Sequence, residues 1–150
     1  MAVLLSSRPQ INKADNEGYT ALYRAAANGH EDTVSLLIRE NANIDIITGS
    51  GNTPMMLAAI SGHDKVVSRL EKAGAQIDIK GLEGNTALML AAQSGHKAVV
   101  KGLLEHGADP ALRNRQRDQA VNLAASAGHQ DIAALLKKQG NSKFWLLKGF

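Results

Sequence analysis

Gly51-Asn52-Thr53-Pro54-Met55-Met56-Leu57-Ala58-Ala59-Ile60-Ser61-Gly62-His63 is the stretch on which the fold turns. Thr53 carries the short hydroxyl side chain favoured just before a helix. Pro54 follows at the first helical position, where its missing N–H leaves no bond unmade. The next residues are small or apolar and run to Gly62, which can take the left-handed conformation that closes a helix. Asp64 then stands at the positive end of a second helix. The stretch reads as a short Ala-rich helix, a tight turn and the start of a partner helix.

The pattern recurs every 33 residues, in blocks beginning at Ile11, Ile44, Ile77 and Pro110. Gly62-His63 falls over Gly29-His30, Gly95-His96 and Gly128-His129, and Ala58-Ala59 over Ala25-Ala26, Ala91-Ala92 and Ala124-Ala125. Upstream, Gly18-Tyr19-Thr20-Ala21-Leu22 and Gly84-Asn85-Thr86-Ala87-Leu88 match Gly51 to Met55. The second helix opens on Glu31 and Asp32, Asp64 or Asp131, and its apolar positions (Val34, Leu37 and Ile38 in block one) recur at helical spacing. Gly74, Gly107 and Gly140 are expected to stop it, with Asn41 substituting in block one because Asn also tolerates positive φ. Two short helices cannot bury their own apolar face, so the blocks must stack into one continuous core. The links between blocks, such as Ile44 to Gly51, read as short extended arms meeting at a glycine turn.

Composition agrees. A 150-residue chain is one domain's worth, and 44% hydrophobic with only 3% aromatic residues calls for a core of Ala, Leu, Val and Ile in closely stacked helices. There is no cysteine, which excludes disulfides, thiolate zinc sites and a thiol nucleophile. No apolar run approaches the roughly 20 residues that span a bilayer, and Met1 to Arg8 is too short for a complete signal peptide. The default expectation is a soluble cytoplasmic protein, or a periplasmic or secreted one where a signal has been trimmed.

The period, the Thr-Pro/Ala-Leu/Met segment, the Ala-Ala pair and the Gly-His junction resemble the ankyrin repeat. The resemblance covers residues 11–142 and continues weakly into Leu4-Leu5, which aligns with Leu37-Ile38. It implies an all-α solenoid of helix-turn-helix units joined by β-hairpin-like fingers. The single domain, 1–150, divides into a partial repeat at 1–10, repeats at 11–43, 44–76, 77–109 and 110–142, and a C-terminal cap at 143–150. Departures from the family pattern stand at the position that usually holds His, here Tyr23, Met56, Met89 and Asn122. The apolar residue after it is Arg24 in block one, as expected where no full repeat covers the outer side. Block four replaces the turn glycine with Arg117 and the capping Thr with Gln119. A non-glycine residue at positive φ costs about 1 kcal/mol, so finger four is expected to differ in shape.

Residues that imitate catalytic chemistry are absorbed by the period. His30, His63, His96 and His129 sit on helices roughly 8–10 Å apart, whereas one zinc ion needs every nitrogen at ~2.0–2.1 Å. Ser61-Gly62-His63 and Ser94-Gly95-His96 recur with no fixed acidic partner, whereas a nucleophilic site occurs once and has an orienting third group. Gly49-Ser50-Gly51 lacks the Lys-Ser/Thr of a phosphate loop. No enzymatic activity, cofactor, metal or small-molecule substrate is expected.

Charge is uneven: block one is net −2, block four +3 and residues 143–150 +2, within a chain of +3. Arg113, Arg115 and Arg117 alternate, so they would share a face of an extended arm. Nucleic-acid binding through this basic repeat is an alternative of another class, weakened because no aromatic stacking residue is interleaved. The tail Lys143 to Phe150 holds the only Trp and both Phe, and reads as a lid on block four or, through Trp145, as a partner anchor.

What the ankyrin resemblance implies is a partner-binding concave face of finger tips and exposed first-helix positions. Carried over residue by residue, it comprises Asn16, Glu17, Tyr19, Ser50, Asn52, Ile60, Leu82, Glu83, Asn85, Gln93, Arg115, Arg117 and Asp118, with Trp145 from the tail. Tyr19, Ile60, Leu82 and the block-four arginines are the first choices for binding energy. The function that follows is a protein-binding adaptor or inhibitor, monomeric when free. A protective inhibitor of an enzyme such as a hydrolase is the narrower variant.

Overall fold

The computed structural model describes residues 10–147 except residue 82, and for residues 141–147 the backbone alone. The Leu4-Leu5 reading falls outside these residues. Eight helices follow in pairs: α1 Ala21–Ala27 and α2 Glu31–Arg39, α3 Pro54–Ser61 and α4 Asp64–Lys72, α5 Ala87–Ser94 and α6 Lys97–Glu105, α7 Ala120–Ser126 and α8 Gln130–Leu147. Among the described residues there is no strand, and no helix is long and apolar enough to cross a membrane. The odd-numbered helices form an inner row in which α1 packs on α3, α3 on α5 and α5 on α7; the even-numbered ones form an outer row. Helices of seven to nine residues do not persist alone in water, so packing between repeats supplies their stability.

The alanine pairs set the inner row's spacing. Ala25, Ala26, Ala58, Ala59, Ala91 and Ala92 are buried, and a methyl group at each lets the next helix come close. Ala125, at the equivalent place in α7, is exposed, because among the described residues no repeat packs on that side. The inner helices begin on the threonines: Thr20, Thr53 and Thr86 accept the N–H of Tyr23, Met56 and Met89 through Oγ1 at 3.2–3.3 Å. Block four has lost that hydroxyl and caps in reverse, with Asn122 Oδ1 accepting the Gln119 N–H at 2.8 Å.

The Gly-His junction joins successive repeats. Gly62 ends α3 at φ 78°, and a Cβ there would lie 2.6 Å from His96 Nδ1 of the next repeat. The ring of His96 lies flat over the bare Gly62 backbone while its Nε2–H donates to the Ile60 carbonyl at 2.9 Å; His63 does the same over Gly29 to Ala27. A third link runs between fingers: Asn12, Asp45 and Asp78 side chains accept the N–H of Asn43, Gln76 and Asp109, one repeat on.

Two expectations fail here. Gly140 does not stop the last helix, since α8 runs unbroken to Leu147. After Asn41, Gly74 and Gly107 the chain reverses because Ala42, Ala75 and Ala108 bury their methyl groups and donate to Leu37, Leu70 and Leu103 carbonyls. Block four has Asn141 in that alanine's place and Ala111 where Asn12, Asp45 and Asp78 accept, so nothing draws the chain out of the helix. Residues 143–147 therefore prolong α8 along its own axis; whether Phe144 to Leu147 pack as a lid concerns side chains outside the described residues.

The second failure is the shape of finger four. Its turn matches the other three: Arg117 N–H donates to the Asn114 carbonyl and Asn114 N–H to the Asp118 carbonyl, as Gly84 and Gly81 do with Gly81 and Asn85. Arg117 takes φ 69°, beside 86°, 79° and 76° at Gly18, Gly51 and Gly84. The backbone absorbs a cost of about 1 kcal/mol and keeps the finger's form.

Candidate partner-binding face

Each finger tip is a four-residue turn: Asp15–Gly18, Thr48–Gly51, Gly81–Gly84 and Asn114–Arg117, each closed by a pair of backbone bonds. Gly81 packs directly on finger two, where a Cβ would come within 2.5 Å of the Gly51 carbonyl. The tips are thus held side by side, and the residues they carry are presented on a fixed frame.

Finger one carries the densest cluster. The Asp15 carboxylate accepts the N–H of Glu17 and of Tyr19 through Oδ1, and Arg24 Nε–H through Oδ2 at 2.6 Å. The Tyr19 N–H first, and Arg24 second, hold the Asp15 carboxyl below its ordinary range, and the bond to Asp15 in turn raises the Arg24 guanidinium. Arg24 also reaches Glu17 at 3.3 Å and lies 5.1 Å from the centre of the Tyr19 ring. Tyr19 stacks on Tyr23 with ring centres 4.7 Å apart and planes 9° from parallel. Tyr23 is itself buried, and its hydroxyl shares a hydrogen bond with Ser50 of finger two.

The positions chosen from sequence separate accordingly. Asn16, Glu17, Glu83, Gln93, Arg115 and Arg117 are exposed; Tyr19, Asn52, Ile60 and Asp118 are half-buried. Ser50 turns to Tyr23 of α1 and to Thr48, and Asn85 Oδ1 accepts from Asn114 Nδ2 at 2.8 Å, so both tie one repeat to its neighbour. Leu82 and the Trp145 side chain lie outside the described residues. The arginine arm is not extended: Arg115 sits within the turn, Arg117 is left-handed, and Arg113 Nη1 donates back to the Arg117 carbonyl at 2.8 Å. The premise for a shared arginine face was extended backbone, and it does not hold.

Two residues of this region were missed. Arg24 stands out in the sequence as a break in the apolar column, although Asp15 and Glu17 of the same block are its evident partners. Ile47, 52% exposed on the arm of finger two, stands where later repeats have Lys80 and Arg113. A large apolar residue in a column that otherwise holds Ala14, Lys80 and Arg113 was the available signal.

Elsewhere the surface offers clefts between outer helices. One of about 630 Å³ is lined by Asp32, Ser35, Arg39, Arg69 and Lys72 between α2 and α4, away from the fingers. Glu71, with a side chain only 1% exposed, lies with Oε2 2.8 Å from His106 Nδ1; burial raises its carboxyl above the usual range, against the pull of His106. Among the described residues, no three His, Asp or Glu side chains are grouped to hold a metal ion.

The family model for ankyrin repeats (3 copies) matches residues 1–81 and 72–144. The human ankyrin repeat and SAM domain-containing protein 1A is 50% identical over 34 residues, which is 23% of this chain and 3% of that protein. The match spans about one repeat, a small fraction of the relative's length.

Proposed function

Because the chain belongs to the ankyrin-repeat family, whose repeats are generally protein–protein interaction modules, we propose that it binds another protein through its finger tips and inner helices, as an adaptor or inhibitor. The observation that carries this reading is the Tyr19–Tyr23–Arg24 stack formed between finger one and the start of α1. Fingers two to four have no aromatic residue at the matching positions, where Asn52 and Met56, Asn85 and Met89, and Asp118 and Asn122 stand. Repeat architecture does not call for the stack, and aromatic and arginine side chains are enriched among residues that dominate binding energy. Ile60 and Gln93 continue the surface along α3 and α5.

The test is affinity capture from the source lysate with the full chain, a variant combining Tyr19→Ala, Ile60→Ala and Gln93→Ala, and an outer-helix variant, Lys101→Ala. Wild type and the outer-helix variant are expected to retain the same partner. The inner-face variant is expected to lose at least ~1 kcal/mol per contributing residue, the usual threshold for an interface contact. Retention by the inner-face variant with loss by Lys101→Ala would refute the placement.

A further inference from the structure

We infer that finger four recognises carboxylate side chains, and that the segment it receives from the partner is acidic. This rests on the reading that the fingers face a protein. Arg117 occupies a left-handed position that Gly18, Gly51 and Gly84 fill in the other turns, and the turn it makes has the same hydrogen bonds as theirs. Glycine would build this finger with less backbone strain. A strained residue that the fold does not need points to a role outside the fold.

The arginines divide by what they touch. Arg24 is paired with Asp15 and Glu17, and Arg69 donates twice to Glu31. Arg113 is spent on the Arg117 carbonyl. Among the described residues, the guanidinium groups of Arg115 and Arg117 are exposed and have neither an ion pair nor a hydrogen bond. Their backbone is nevertheless fixed: Arg115 N–H donates to the Glu83 carbonyl at 3.1 Å, Asn114 Nδ2 to Asn85 and Asp118 N–H to Asn114 Oδ1. Two unpaired guanidiniums on a rigid tip, in a block of net charge +3, suit the planar carboxylate of Asp or Glu, which they can grip with paired N–H donors.

A nucleic acid fits less well. Its charge is continuous, and a strand laid along the fingers would run onto block one, of net charge −2. No aromatic residue stands on finger four to stack a base; Tyr19 and Tyr23 are at the opposite end of the array. A short acidic stretch confined to finger four meets neither obstacle.

The probe is a capped decapeptide of alternating glutamate and serine, titrated into the isotope-labelled full chain and followed by amide chemical shifts at low salt. Its glutamine counterpart, a single-stranded thymidine oligonucleotide and a short duplex are run alongside. Saturable shifts are expected at residues 113–119 with the glutamate peptide alone. Arg115→Gln and Arg117→Gly should each weaken binding about threefold, in line with exposed ion pairs. Arg117→Gly should at the same time raise the melting temperature, which separates loss of binding from loss of fold. No saturable shift with the glutamate peptide, equal shifts with the glutamine peptide, tighter binding of either nucleic acid, or unchanged binding by Arg117→Gly would each overturn the inference. If the glutamate peptide fails while the inner-face variant still loses its lysate partner, only the acidic-segment inference falls. If the peptide binds finger four but the inner-face variant keeps its partner, the placement of the protein-binding face falls instead.

Discussion

Replacing Gly62 by Ala tests the junction that sets the spacing of the whole array. The new Cβ would lie 2.6 Å from His96 Nδ1, 2.7 Å from Cε1 and 3.0 Å from Cγ. Because Cγ itself is too close, rotating the ring in place does not clear the clash. The imidazole must swing about χ1, which breaks its bond to the Ile60 carbonyl at 2.9 Å. Holding alanine at φ 78° costs about 1 kcal/mol, and the lost hydrogen bond adds about 1 kcal/mol. The expected loss is therefore about 2 kcal/mol or more. Gly74→Ala is the control: its φ is 92°, but nothing lies within 4 Å of a Cβ there, so it should lose only the backbone share of about 1 kcal/mol. Urea denaturation followed by far-ultraviolet circular dichroism reads both. Adding His96→Ala to Gly62→Ala should recover part of the loss, because the clash disappears with the ring. Equal losses at Gly62 and Gly74, or strict additivity of Gly62→Ala with His96→Ala, would refute the reasoning.

Three further outcomes follow from single residues. Asp15 has a lowered pKa in the folded chain, so its contribution is present above the ordinary value of 3.8 and is lost as pH falls through the depressed one; Asp15→Asn should flatten the acid limb of stability, and an unchanged limb by circular dichroism would count against the finger-one cluster. Glu71 shifts the other way: a raised pKa means that wild-type stability falls as pH rises from the ordinary value of 4.5 through the raised one. Glu71→Gln should therefore gain on wild type with increasing pH across that window, and a gain that shrinks instead would refute the assignment. Gly140 lies inside α8 with nothing within 4 Å of a Cβ, so Gly140→Ala should stabilise by about 0.5–1 kcal/mol in thermal melts, whereas a loss would show that the helix ends there.

Much of this fold was legible because a repeat shows the same physics four times. The threonine caps and the left-handed Asn41 each occupy a column whose environment is set by one repeat alone, and the alanine pairs announce the close approach of a neighbour by their size. The errors came where two columns meet. Ser50 and Asn85 read as partner-facing tip residues, but they are bonded to Tyr23 and Asn114 of the neighbouring repeats, and no single column reveals that pairing. Gly140 read as a stop because the glycine column was followed without the alanine after it. A C-terminal reversal needs both, since the glycine permits the turn and the buried methyl group holds it. The alternating arginines were read with the period of a strand, but the arm is a turn whose bonds are made by Asn114.

The departures from the repeat also differ in kind, and that difference separates structure from function. Gln119 lacks the capping hydroxyl, but Asn122 three residues on restores a bond at the same helix end, so the pair is compensated within the fold. Ala111 lacks the acceptor of Asn12, Asp45 and Asp78, but α8 has no reversed chain after it that would need one. Arg24 breaks an apolar column and is met by Asp15 and Glu17, a charge pair that also orders Tyr19 on the tip. Asn41 also replaces a glycine at positive φ, but Asn tolerates that conformation. Arg117 has strain on one side and no partner on the other: its φ is 69°, its turn would form more easily with glycine, and among the described residues its guanidinium donates to nothing. A departure that the fold has answered is explained by its neighbours. One that it has left unanswered is where a partner is to be sought, and here that places the search at the tip of finger four.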